Sequence, residues 1–176
     1  MKTKLNTHKI CTIAMLVAIS FVLGTLSVRI GSGIKISFKF IPVFVCSSLF
    51  GPVYGGLCGA LADFLSYFLN SGGNAFMPQI TLVEFLYGFS FGLFFYNVDS
   101  LNKKTVLKTI TCLLLNTIVF SLGVMSFILM DLVGMSYIQT LLMRLMSSSI
   151  TMIIQFVCIL ALLRYMPFFK KISKVK

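Results

Sequence analysis

Three ionisable side chains, Asp63, Glu84 and Arg144, stand inside runs that are otherwise apolar. A charge among hydrocarbon is costly unless it is paired or faces water, so such a residue is by default a functional candidate. Three more cations, Arg29, Lys35 and Lys39, lie between two apolar runs, with Gly31 and Gly33 loosening the backbone between them. Guanidinium and ammonium groups at a membrane edge suit an anionic partner, which they grip with charge-assisted hydrogen bonds. Neutral hydrogen-bonding residues accompany them: Asn70, Asn74 and Gln79 in one segment, and Ser126, Ser147, Ser148 and Thr151 further on. This chemistry is recognition rather than bond making. His8 is the single histidine, and Cys11, Cys46, Cys58, Cys112 and Cys158 are scattered without C-x-x-C spacing. No metal site, Ser/His pair or Cys/His pair is expected, so no catalytic residue is assigned. No G-x-x-x-x-G-K-[ST] segment is present, so ATP-driven work would fall to a partner.

Plainer readings compete residue by residue. Arg144 could pair with Asp63 or Glu84 and hold helices together. Arg29 and Lys39 could reach to lipid headgroups, and the serines could bond back to their own helix. Phe76 and Tyr87 are the aromatic residues suited to stacking on a planar ligand.

The elements that must carry these groups follow from composition. Of 176 residues, 58% are hydrophobic and 11% charged, the signature of an integral membrane protein. The expected fold is all-α, a single membrane domain over residues 1–176. Its six transmembrane helices lie near 10–28, 39–50, 53–69, 80–96, 106–130 and 137–165. The second is short for a full span, and Pro52 suits the first turn of the third. The third is small-faced, with Gly55, Gly56, Gly59, Ala60 and Ala62, which lets another backbone approach closely. The first apolar segment is expected to stay in the mature protein rather than be cleaved as a signal.

The net charge of +11 reflects topology rather than nucleic-acid binding. Eleven of the fifteen Lys and Arg residues fall in the N-terminal tail, the central loop near Lys103 and the C-terminal tail. The positive-inside rule then makes both termini cytoplasmic and puts Asp63, Glu84 and Arg144 in the outer half of the membrane. Their convergence beneath the Arg29–Lys39 lip predicts a polar cavity open to the outside.

The run R-I-G-x-x-I-K-I-S-F-x-F-I-P from Arg29 to Pro42, then F-G-P-x-x-G-G from Phe50 to Gly56, then Ala62-Asp63, resembles the substrate-binding S-component of energy-coupling factor (ECF) transporters. Within that group the chain looks most like the folate-specific branch. The resemblance implies a vitamin receptor of the bacterial plasma membrane that binds folate or a related pterin and needs no cofactor. Its implied partners are a transmembrane coupling subunit and two cytoplasmic ATPase subunits. An A-x-x-x-A docking motif is matched by Ala14 and Ala18. The ligand-binding set expected on these grounds is Arg29, Lys35, Asp63, Asn74, Glu84, Arg144 and Ser147. Alternatives are an S-component for another vitamin or precursor, a small membrane enzyme acting on lipid-linked substrates, and a structural or assembly protein.

Overall fold

The computed structural model describes residues 7–30, 34–70, 77–96, 98, 103–128 and 137–174. Among these, six helices and one two-stranded ribbon follow one another. Helix α1 is Thr7–Thr25, strands β1 and β2 are Val28–Ile30 and Ile34–Ile36, and helices α2, α3 and α4 are Phe40–Phe50, Pro52–Asn70 and Pro78–Phe95. Helix α5 runs over Lys103–Ile128 and α6 over Tyr137–Lys174. Four of them, α1, α4, α5 and the Ile138–Tyr165 part of α6, are long and apolar enough to cross a membrane. Helix α2, at 11 residues, is only about 16 Å long and cannot span a ~30 Å hydrocarbon layer.

The apolar elements are helical, as expected; the addition is the ribbon at the start of the Arg29–Lys39 lip. Val28-Arg29-Ile30 and Ile34-Lys35-Ile36 are rich in β-branched residues, and they flank a segment with two glycines, the composition of a hairpin. The strands pair antiparallel with Val28 opposite Ile36, Arg29 opposite Lys35 and Ile30 opposite Ile34. Strand β2 lies beside α6.

Glycine sets the closest helix contacts. Helix α2 ends at Gly51, whose φ of 102° is open to glycine and strained for other residues, and its N–H bonds to Ser47 O at 3.0 Å. Pro52 then starts α3, where its missing N–H costs nothing. On α3 and α4 the backbones touch: a Cβ at Gly88 would overlap the Gly55 carbonyl, and one at Gly92 would overlap Pro52. One at Gly59 would stand 2.7 Å from the carbonyl oxygen of Glu84. That last approach sets the height of Glu84 against α3, one turn before Asp63.

An aromatic core joins α2, α4, α5 and α6 through Phe40, Phe44, Phe91, Phe95, Cys112, Leu113, Ile159 and Leu163. Phe44 meets Phe91 and Phe95 edge to face, with ring centroids 5.7 and 5.0 Å apart. A second cluster of Val17, Val43, Cys46 and Cys58 ties α1 to α2 and α3. The outward surface carries Leu93, Ile118, Leu142 and Ile153, all exposed, as lipid contact requires.

Two features depart from the expected helices. Residues Asn116–Val124 of α5 are π-helical. The segment starts at Asn116, fully buried, which is held to Ser90 at 2.7 Å and to the Cys112 thiol at 3.5 Å. A polar side chain satisfied sideways in an apolar span is a natural place for the helix to widen. Helix α6 runs past residue 165 to Lys174, about 57 Å in all. Its last turns carry Lys170, Lys171 and Lys174, cations that a helix C-terminus favours.

Candidate functional site

Lys39 is the hub of the charged groups. It caps the N-terminus of α2, immediately after the ribbon, with φ −58° and ψ −21° and no side-chain capping bond. Its Nζ donates to Glu84 Oε1 at 2.5 Å and lies 3.7 Å from Asp63 Oδ1. Thr81 Oγ1 donates to the other Asp63 oxygen at 3.0 Å. One cation thus ties α2 to α3 and α4 and faces two carboxylates. The three side chains are each only 20–26% exposed, so they are screened less than a surface pair.

A cavity of about 190 Å³ opens beside this cluster. Lys39, Glu84 and Tyr87 line one side, Phe120 and Ser121 of the π-helical stretch and Met125 just after it another, and Arg144, Thr151 and Gln155 of α6 a third. Positions 144, 151 and 155 share a face of α6 because they are seven and four apart. The Tyr87 hydroxyl donates to Gln155 Oε1 at 2.8 Å, closing α4 onto α6 across the cavity floor. Ser121 and Ser148 share a 2.7 Å hydrogen bond between α5 and α6.

Arg144 is treated differently from Lys39. Its Nη1 donates to the backbone carbonyl of Ser121 at 3.4 Å, and its Nε is buried without a hydrogen-bond partner. Among the described residues no carboxylate lies within ion-pair distance of it. The expected alternative of an Arg144 pair with Asp63 or Glu84 is therefore not formed, because Lys39 has taken both. A guanidinium in a half-buried wall with an unpartnered Nε has the chemistry to suit an anion.

Glu84 and Arg144 line the cavity, and Asp63 stands behind Glu84 on Lys39 and Thr81. Ser147 is half-buried on α6 outside the lining, and its carbonyl accepts from Thr151 Oγ1 at 2.8 Å. Asn74 lies outside the described residues, and for Arg29 and Lys35 the backbone alone is described, as cross-strand neighbours in the ribbon. Ala14 and Ala18 are both exposed on α1, while Val17 and Ser20 of the same helix are buried against the bundle.

Lys39, Phe120, Ser121 and Gln155 were not among the expected binding residues. The polar stripe Arg144, Ser148, Thr151, Gln155 has helical spacing and was legible; it points to Thr151 and Gln155 in place of Ser147. Phe120 had no such signal, because its facing depends on the π-helical segment.

A family model described as the substrate-specific component of ECF transporters matches residues 8–163. The folate transporter FolT of Clostridium novyi is 38% identical over 74 residues, 42% of each chain. The chain thus spans less than half the length of that relative. The FolT of Streptococcus mutans is 31% identical over 125 residues, 67% of each chain. The riboflavin transporter RibU of Staphylococcus aureus is 31% identical over 145 residues, 77% of this chain and 74% of that one. A crystal structure of FolT bound with folic acid superposes with a TM-score of 0.75 at 27% identity, covering 86% of this chain and 90% of that one.

Proposed function

The chain belongs to the family of substrate-specific components of ECF transporters, and from that premise we propose that it is a folate-binding S-component with no catalysis of its own. The observation that carries this reading is the cavity wall in which Arg144 keeps uncommitted donors opposite the acidic side chain of Glu84. Folic acid has a matching polarity. Its glutamate tail offers carboxylates to Arg144, and its pterin edge offers N–H donors to Glu84. Tyr87 and Phe120 supply ring faces for the planar part. The likeness to a folic-acid-bound FolT structure over most of the chain supports the same ligand.

The cavity, at about 190 Å³, is smaller than the roughly 300–1,000 Å³ typical of drug-sized ligands. Folic acid would therefore extend from it toward the ribbon. Arg29 and Lys35 at the paired register would form the outer gate, with Asn74 and Ser147 completing the polar surroundings. Six membrane helices, with α2 the short one, and both termini cytoplasmic in a bacterial plasma membrane would put this opening outside. Ala14 and Ala18 on the exposed face of α1 would dock on a transmembrane coupling subunit whose two ATPases drive uptake.

Calorimetry on the purified protein in detergent tests the ligand: folic acid is expected to bind tightly at 1:1 and to outcompete riboflavin. Saturable riboflavin binding with none for folic acid would move the assignment to another vitamin, the reading that the RibU likeness favours.

A further inference from the structure

We infer that Lys39 is a positioning residue of the ligand site, acting through Glu84; this rests on the reading of the cavity as the site of a ligand with N–H donors. Its location argues against a merely local role. The N-terminus of a helix favours Ser, Thr, Asp or Asn and an anionic charge, and α2 instead carries an ammonium there with no capping bond. The cation is disfavoured by its own helix and is held by groups on two others.

What it holds is specific. The 2.5 Å bond engages Oε1 of Glu84, and among the described residues Oε2 has no donor. Lys39 therefore fixes the carboxylate with one oxygen committed and the other left for a donor from the cavity. The backbone contact between Gly59 and Glu84 sets the height of α4, so the side-chain torsions of Glu84 are what remains to be fixed. Lys39 fixes them.

The charges nearby agree with this division. Asp63 from α3, Glu84 from α4 and Lys39 from the start of α2 form a group with one negative charge in excess. Arg144 from α6 lines the same cavity without joining them, and Tyr87 of α4 gives its hydroxyl to Gln155. The excess charge is met when a ligand presents N–H donors to Glu84. Without Lys39 two carboxylates would face each other half-buried, and Glu84 would turn away from Asp63 and lose its aim.

The test is a double-mutant cycle on the full-length protein in detergent, using Lys39→Met, Glu84→Gln, the double variant and Lys39→Arg. Folic acid affinity is read by calorimetry, and stability without ligand by thermal melting. Lys39→Met and Glu84→Gln are each expected to weaken folic acid about tenfold or more, as loss of one member of a half-buried charge pair does. The double variant is expected to be little worse than either single one, and Lys39→Arg to recover most of the affinity. Losses that multiply, an unchanged affinity in Lys39→Met, or no recovery in Lys39→Arg would each overturn the inference. Melting covers the case in which the wild type fails to bind folic acid, an outcome that removes the folate reading by itself. Coupling between Lys39 and Glu84 in the unliganded protein is expected there, and its absence overturns the positioning role whatever the ligand.

Discussion

At the scale of single residues the site depends on an unequal sharing of charge. Lys39 satisfies two carboxylates, whereas Arg144 keeps a buried Nε without a partner. Arg144→Met is therefore expected to weaken folic acid by about 1.5–3 kcal/mol, the worth of a hydrogen bond to a charged group. That is roughly 10- to 100-fold in Kd. Calorimetry reads it, and an unchanged Kd would mean that the ligand carboxylates lie elsewhere. Gln155→Leu has a different cost. It leaves the half-buried Tyr87 hydroxyl without this partner, so the variant is expected to lose about 1 kcal/mol of stability as well as affinity. A thermal melt with and without folic acid separates the two effects.

At the scale of elements, small residues decide where the polar groups meet. Helices α3 and α4 touch backbone to backbone because Gly55, Gly59, Gly88 and Gly92 have no side chains to hold them apart. This closeness brings Asp63 and Glu84 to the same ammonium. Gly88→Ala drives a methyl group into the Gly55 carbonyl. It is expected to cost about 1–3 kcal/mol by overpacking and to loosen the Lys39 contacts as the helices part. A lowered melting temperature together with weaker folic acid binding checks it; a normal melt would mean that the helices slide past the methyl group. The π-helical Asn116–Val124 stretch acts similarly on the other wall, where its Phe120 and Ser121, and Met125 just beyond it, line the cavity. One extra residue per turn changes which side chains share a face, so an α-helical reading of α5 misplaces them.

At the scale of the whole molecule, the exposed face of α1 and the cavity are separate surfaces. Ala14 and Ala18 lie on the outward side of α1, while the cavity is enclosed by α2, α4, α5 and α6. Ala14→Trp or Ala18→Trp is therefore expected to abolish folate uptake by cells that express the transporter, with the Kd of the purified protein within about twofold of wild type, since distant sites behave independently. Equal loss of uptake and binding would assign the pair to internal packing. Docking on this face would use the small residues for close approach, since helix association in lipid depends on packing rather than on a hydrophobic drive.

The amino-acid sequence by itself determined the membrane class, the helical character of the apolar runs, the break at Gly51-Pro52, and the small face of α3. These follow from composition, run length and local conformational preference, which act within a few residues. It also singled out Asp63, Glu84 and Arg144, because a charge in an apolar run is conspicuous without knowing its partner. The partners were decided only by the tertiary structure. Lys39 sits 24 residues before Asp63 and 45 before Glu84, and no periodicity links positions on three different elements. Once helix packing had brought both carboxylates to Lys39, Arg144 was left with its Nε unpartnered. The ribbon needed the chain in three dimensions too, since short β-branched segments form strands only when a partner strand is in register. The sequence could say that charges were buried; only the contact between α3 and α4 could say which of them went without a carboxylate partner among the described residues.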